Sequence, residues 1–164
     1  MIVRLFRHLL FPDWWLRRYL PDAALSRIAD EVAAAEVGHS GEIRVAVEGS
    51  LDLLPLLHAV SARDRAVDVF AVQRVWDTEE NNGILLYVLL ADRDVEIVVD
   101  RGIAKQVPPS EWEAICQEME ALFRQGRQEE ALALGVRRVG ARLAALYGDS
   151  TKTANQLPDR PSLL

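Results

Sequence analysis

WDTEENNGILLYVLLADRDVEIVVDRGI, residues 76–103, places the most apolar strand candidate of the chain between two acidic turns. Ile84 to Ala91 is apolar at every position, the pattern of a central strand covered by helices on both faces. Asn82-Gly83 suits a tight turn entering that strand. ADRD, residues 91–94, is short enough for a hairpin turn into VEIVVD, residues 95–100, so the two strands should pair antiparallel.

Upstream, Pro21-Asp22 opens a helix, with Asp22 as N-cap, Leu25, Ile28, Ala29 and Val32 at helical spacing, and Gly38 as its end. EIRVAVE, residues 42–48, alternates Ile43, Val45 and Val47 with Glu42, Arg44 and Glu48, as a strand does. LDLLPLLHAV contains Pro55 and reads as a loop with a helical turn. Ser61 and Asp64 form a capping box for a second helix, with Ala66, Val69, Phe70 and Trp76 as its core stripe. Downstream, Ser110 and Glu113 form another capping box. The helix behind it presents Trp112, Ile115, Cys116, Met119, Leu122 and Phe123, and Gly126 breaks it. A last helix over about 128–147 shows Leu132, Val136, Val139, Leu143 and Leu146. No internal repeat is visible. The order helix, strand, helix, strand, strand, helix, helix makes this an α/β layer protein with a mixed sheet. Residues 149–164 have no period and read as a disordered tail.

The 164 residues suit one domain, half of them hydrophobic and 27% charged. One cysteine permits no internal disulfide, and three scattered histidines make a structural zinc site improbable. Net charge is −6. Residues 1–20 carry Arg4, Arg7, Arg17 and Arg18 against Asp13, so the acidic balance lies in the rest, which argues against nucleic acid. Residues 1–21 form a basic, aromatic N-terminal arm. Pro12, Asp13 and Arg17-Arg18 interrupt it, so it is neither a secretory signal nor a membrane span, and a cytoplasmic address follows. Two readings of the arm stand. It packs on the domain, or it lies on an anionic membrane through its arginines and Phe6, Phe11, Trp14 and Trp15.

The chemistry is sparse. Counted from Asp77, DTEENNG offers oxygens at Glu79 and Asn81 as a calcium loop would. Asn82 stands where that loop needs glycine, and Val88 where it needs glutamate, so it is no EF-hand. Either the two acidic turns are only turns, or they meet in space and hold a cation. LLADRD ends in D-x-D, but the strand that follows at once closes the end a phosphoaspartyl nucleophile would need. GHSGE fails as a nucleophile elbow on its fifth residue and on strand order. Cys116 lies on a core stripe, and His8, His39 and His58 lack ligand or triad spacing. No phosphate-binding glycine pattern occurs.

With those residues in hand, the central stretch resembles the signature of the TPM domain. Asn82-Gly83, the apolar strand, the Asp92-Arg93 turn, the second strand and Gly102 carry the likeness, with GEIRVAV upstream and FRQGR downstream, over roughly residues 22–147. The resemblance implies a three-layer α/β/α sandwich with a central mixed sheet, here a domain over 22–148. It implies binding of calcium or magnesium, with Asp77, Asn81, Asn82, Asp92 and Asp94 as ligands; metal-assisted acid phosphatase activity is one alternative and a ligand-free structural module another. It also implies a small cytoplasmic variety that works beside a membrane-associated partner, a LemA-type protein or another TPM protein. The expectation is therefore a non-catalytic binding or accessory domain.

Overall fold

The computed structural model describes residues 2–148 and 154–164. In chain order the elements are helices α1 (Ile2–Leu9), α2 (Asp13–Tyr19) and α3 (Asp22–Ala35), strand β1 (Glu42–Glu48), and helices α4 (Leu53–Leu57) and α5 (Ala62–Val72). Strands β2 (Gly83–Leu89) and β3 (Asp94–Val99) follow, then α6 (Arg101–Ala104), α7 (Pro109–Arg124), α8 (Gln128–Tyr147) and the short strand β4 (Ser162–Leu163). The sheet order is β3-β2-β1-β4. β1 runs parallel to β2 and β4, while β2 and β3 form the expected antiparallel hairpin, with Ile84 opposite Val99 and Leu89 opposite Asp94.

The alternation of side chains along β2 divides the core. Ile84, Leu86 and Val88 join Ile43, Val45 and Val47 in the larger cluster, packed under α3, α7 and α8. Leu85, Tyr87 and Leu89 face the other way, into a cluster with Ala66 and Val69 of α5 and Leu56 of α4. All seven residues of β2 are buried, which is why the strand had to be apolar on both faces. The result is a mixed sheet between two helical layers.

Several local expectations hold and several change. Ser61 and Asp64 form the predicted capping box. Asp22 is the first residue of α3 rather than its cap, a place taken by Pro21. α7 likewise starts at Pro109, behind Pro108, so Ser110 and Glu113 lie inside the helix and form no box. Proline has no N–H to leave unsatisfied in a first turn, so it starts a helix where a capping side chain was expected. Trp76 lies beyond the end of α5 and is half exposed, so it is not part of the core stripe.

The alternating strand β1 is buried along its whole length, polar residues included. Part of the reason is the C-terminal segment. Residues 149–153 lie outside the described residues, but 154–164 are ordered on the sheet, against the expectation of a disordered tail. Arg44 donates to the carbonyls of Pro158 and Arg160, and Glu42 accepts the N–H groups of Gln156 and Leu157. Leu157 is buried in the second cluster. Backbone pairing and a few anchors hold this segment, so it needs no hydrophobic period.

Candidate functional site

Any site built from the two acidic turns must span β2, because one turn ends at Gly83 and the other begins after Leu89. Seven extended residues separate them by about 20 Å, whereas a calcium ligand sits about 2.4 Å from its ion. Asp77, Asn81 and Asn82 therefore cannot share an ion with Asp92 and Asp94. The idea of one converged site is corrected by the straightness of the strand that joins the turns.

The end holding Asp92 is filled by the protein's own cations. Arg4 Nε donates to Asp92 Oδ2 at 2.8 Å, and Arg7 Nη2 lies 3.5 Å from Oδ1. His8, fully buried at its side chain, brings Nε2 to 3.1 Å from Oδ1. Its Nδ1 accepts the N–H of Leu51 at 2.9 Å, so the ring proton sits on Nε2, toward the carboxylate. The arm thus packs on the domain through one face of α1. Glu48, at the neighbouring end of β1, is held by both Arg65 Nε and Nη2 (2.9 and 3.0 Å) and accepts from Tyr87 Oη at 2.6 Å. Burial and then the Glu48 carboxylate push the Tyr87 hydroxyl well above its ordinary pKa. Asp94 has only the weak pull of Arg4 among the described residues. Burial first, then Glu96, Glu120 and Asp92, raise its pKa to about 6.

The opposite end is built differently. Asn82 is buried, and its backbone N–H bonds Thr78 Oγ1 at 3.0 Å. Its amide donates to the carbonyl of Ser40 at 2.9 Å and to Ser40 Oγ at 3.0 Å. Ser40 Oγ in turn donates to Glu80 Oε2 at 2.5 Å. The hairpin brings Asp100 to this group, since its N–H bonds the carbonyl of Gly83 at 2.9 Å. Asp100 Oδ1 caps α6 through the N–H of Arg101 at 2.6 Å. Its Oδ2 is buried and has no hydrogen-bond partner among the described residues. Two glycines make the geometry possible. A Cβ at Gly83 would lie 1.9 Å from the carbonyl oxygen of Val75, and one at Gly102 2.5 Å from that of Asn81. Above them, burial, then Glu80 and more weakly Asp100, push the Tyr147 hydroxyl up, which puts both carboxylates within its electrostatic reach.

Of the five predicted ligands, only Asn82 lies within this hydrogen-bonded group. Asn81 touches it through its backbone, accepting the N–H of Gly102 at 3.1 Å, and Asp77 is exposed on the preceding turn. Ser40, Glu80, Asp100 and Tyr147 were not foreseen as site residues. Hairpin register could have found Asp100: a turn at 90–93 folds the residue after β3 back beside Gly83, the first residue of β2. Oxygen donors of this kind, two carboxylates with neutral oxygens around them, suit a hard divalent cation and not zinc. Among the described residues, no group of three or more His, Cys, Asp and Glu side chains gathers to hold a metal. Any ion here would rely on amide, hydroxyl, carbonyl or water oxygens for the rest of its shell.

Two other reactive groups are tied into the fold. Cys116 is buried and its thiol is pushed up to about 12, chiefly by desolvation. His39 bridges Ala35 O and the N–H of Gly41. No helix among the described residues is long and apolar enough to cross a membrane.

Comparison with known proteins places the fold. The sequence profile of the TPM domain matches residues 16–142. The NMR structure of BA42 protein from the psychrophilic bacterium Bizionia argentinensis superposes with a TM-score of 0.76 at 29% identity, covering 88% of this chain and 95% of that one. The solution NMR structure of the N-terminal domain of a P. gingivalis protein superposes with a TM-score of 0.64 at 22% identity, over 78% of each chain, and shows likeness of fold alone. No curated protein matches the chain in sequence.

Proposed function

This chain belongs to the TPM domain family, and on that premise we propose that it is a non-catalytic binding or accessory domain that takes a divalent cation, calcium or magnesium, at the Asn82 end of its sheet. One observation supports this reading above others: Asp100 Oδ2 is buried with no hydrogen-bond partner among the described residues, at the same end of the sheet as the exposed carboxylate of Glu80. Among the described residues neither carboxylate has an ion pair, and an uncompensated buried carboxylate is costly unless a cation or hydrogen bond relieves it. The domain works beside a membrane, on its cytoplasmic side, through a membrane-associated protein of the LemA type or another TPM protein.

The test is an amide NMR titration of metal-free protein with calcium and then magnesium. Saturable shifts are expected at 40, 78–83, 100–106 and 147, and these are lost in Asp100→Asn and kept in Asp92→Asn. Shifts centred on 92–94, or none at millimolar metal, would overturn the assignment.

A further inference from the structure

The cation reading leaves the outer face of the N-terminal arm without a role. α1 is sharply two-sided. Arg4 and His8 turn inward to Asp92, and Leu5 packs on the second core cluster. Ile2, Val3, Phe6, Leu9 and Leu10 point outward, each between 59% and 73% exposed. At about 100° per residue these five span roughly a third of the helix circumference, an unbroken apolar stripe. Trp14, 61% exposed, continues the surface onto α2, and it packs edge-on to Trp15 with ring centroids 5.9 Å apart. Exposed Leu53, Leu54 and Leu57 of α4 lie beside α1.

Soluble domains rarely expose so continuous an apolar area without an occupant, and charge selects which one. α2 ends in the exposed pair Arg17 and Arg18. Behind it a cleft of about 460 Å³ is lined by Arg7, Arg93 and Arg124 together with Phe11, Trp15 and Tyr19. Arginine beside tryptophan, flanking a shallow aliphatic stripe, matches the boundary between anionic headgroups and acyl chains. We infer that α1 and α2 form an interfacial element that lies flat on an anionic phospholipid surface, with the aliphatic stripe entering the acyl boundary and a lipid phosphate seated in the arginine cleft. At eight residues, α1 is far too short to span a bilayer. The rest of the chain carries the acidic charge, so the same field turns the Asn82 end away from the membrane.

This inference shares no residue with the cation site, so either can fail alone. The experiment is co-sedimentation of the full chain with vesicles of mixed phosphatidylglycerol and phosphatidylcholine, against vesicles of phosphatidylcholine only. Binding is expected to the anionic vesicles alone. It should fall at least tenfold in Phe6→Glu/Trp14→Glu, several-fold in Arg17→Glu/Arg18→Glu, and several-fold in about 0.5 M salt. Brominated lipid should quench the arm's indoles in a Trp76→Phe background. All these positions are exposed, and unchanged near-UV circular dichroism would show that the variants fold. Absence of sedimentation, equal binding to neutral vesicles, or full binding by Phe6→Glu/Trp14→Glu would overturn the inference. So would lipid-independent dimerisation that Phe6→Glu abolishes, which would make a second copy the occupant.

Discussion

The two ends of β2 present carboxylates in similar numbers and treat them in opposite ways. At one end Asp92 meets Arg4, Arg7 and His8, and Glu48 meets Arg65 and Tyr87. At the other, Glu80 meets a serine and an asparagine, Asp100 meets the N–H of Arg101, and one oxygen of Asp100 has no hydrogen-bond partner among the described residues. Buried negative charge compensated internally holds a fold together, whereas charge left uncompensated is available to something from outside. An acidic residue next to a strand is therefore no guide to a site until its partners are known.

The contrast breaks most visibly through stability. Asp92→Ala removes the carboxylate facing a buried imidazole and the counter-charge of a half-buried guanidinium. It should cost about 2–3 kcal/mol, seen as a melting temperature roughly 5–10 °C lower. A loss near zero would mean the arm is held without this carboxylate. In Asp100→Asn the amide oxygen keeps the helix cap while the charge goes. The metal-free protein should then melt up to about 3 °C higher, and a loss like that of Asp92→Ala would show that Asp100 is compensated after all.

Asp94 sharpens the contrast within the compensated end. Its pKa is raised from 3.8 to about 6, so the folded state holds this proton more tightly than the unfolded chain does. The resulting stability is complete below about pH 4 and is lost as pH rises through about 6. Asp94→Asn should melt higher than the parent at about pH 7.5 and alike at about pH 3.5, the smallest of these effects because the group is partly solvated. An equal gain at both pH values would place its cause outside titration.

Much of the fold was legible in residues 76–103, because a strand apolar on both faces demands two helical layers and a four-residue turn demands a hairpin. The candidate site was legible only in part. Asn82 stands out locally, but Ser40 reaches it through the parallel pairing of β1 with β2, a contact between residues 42 positions apart that no local pattern announces. The convergence of the two turns was excluded by the same strand that suggested it. β4 escaped because two residues held through their backbone carry no period, and the burial of the polar positions of β1 escaped with it because the segment covering them had no signal of its own.

That covering segment has a consequence for the nascent chain. Ser162 donates to the carbonyl of Val45 from 117 residues further along. As the ribosome builds the protein in order, β1 finds β2 early while its other edge stays open until all of α7 and α8 has followed. An open edge is a template for a second nascent chain. Crowded translation of this message should therefore be the moment of greatest exposure to misassembly.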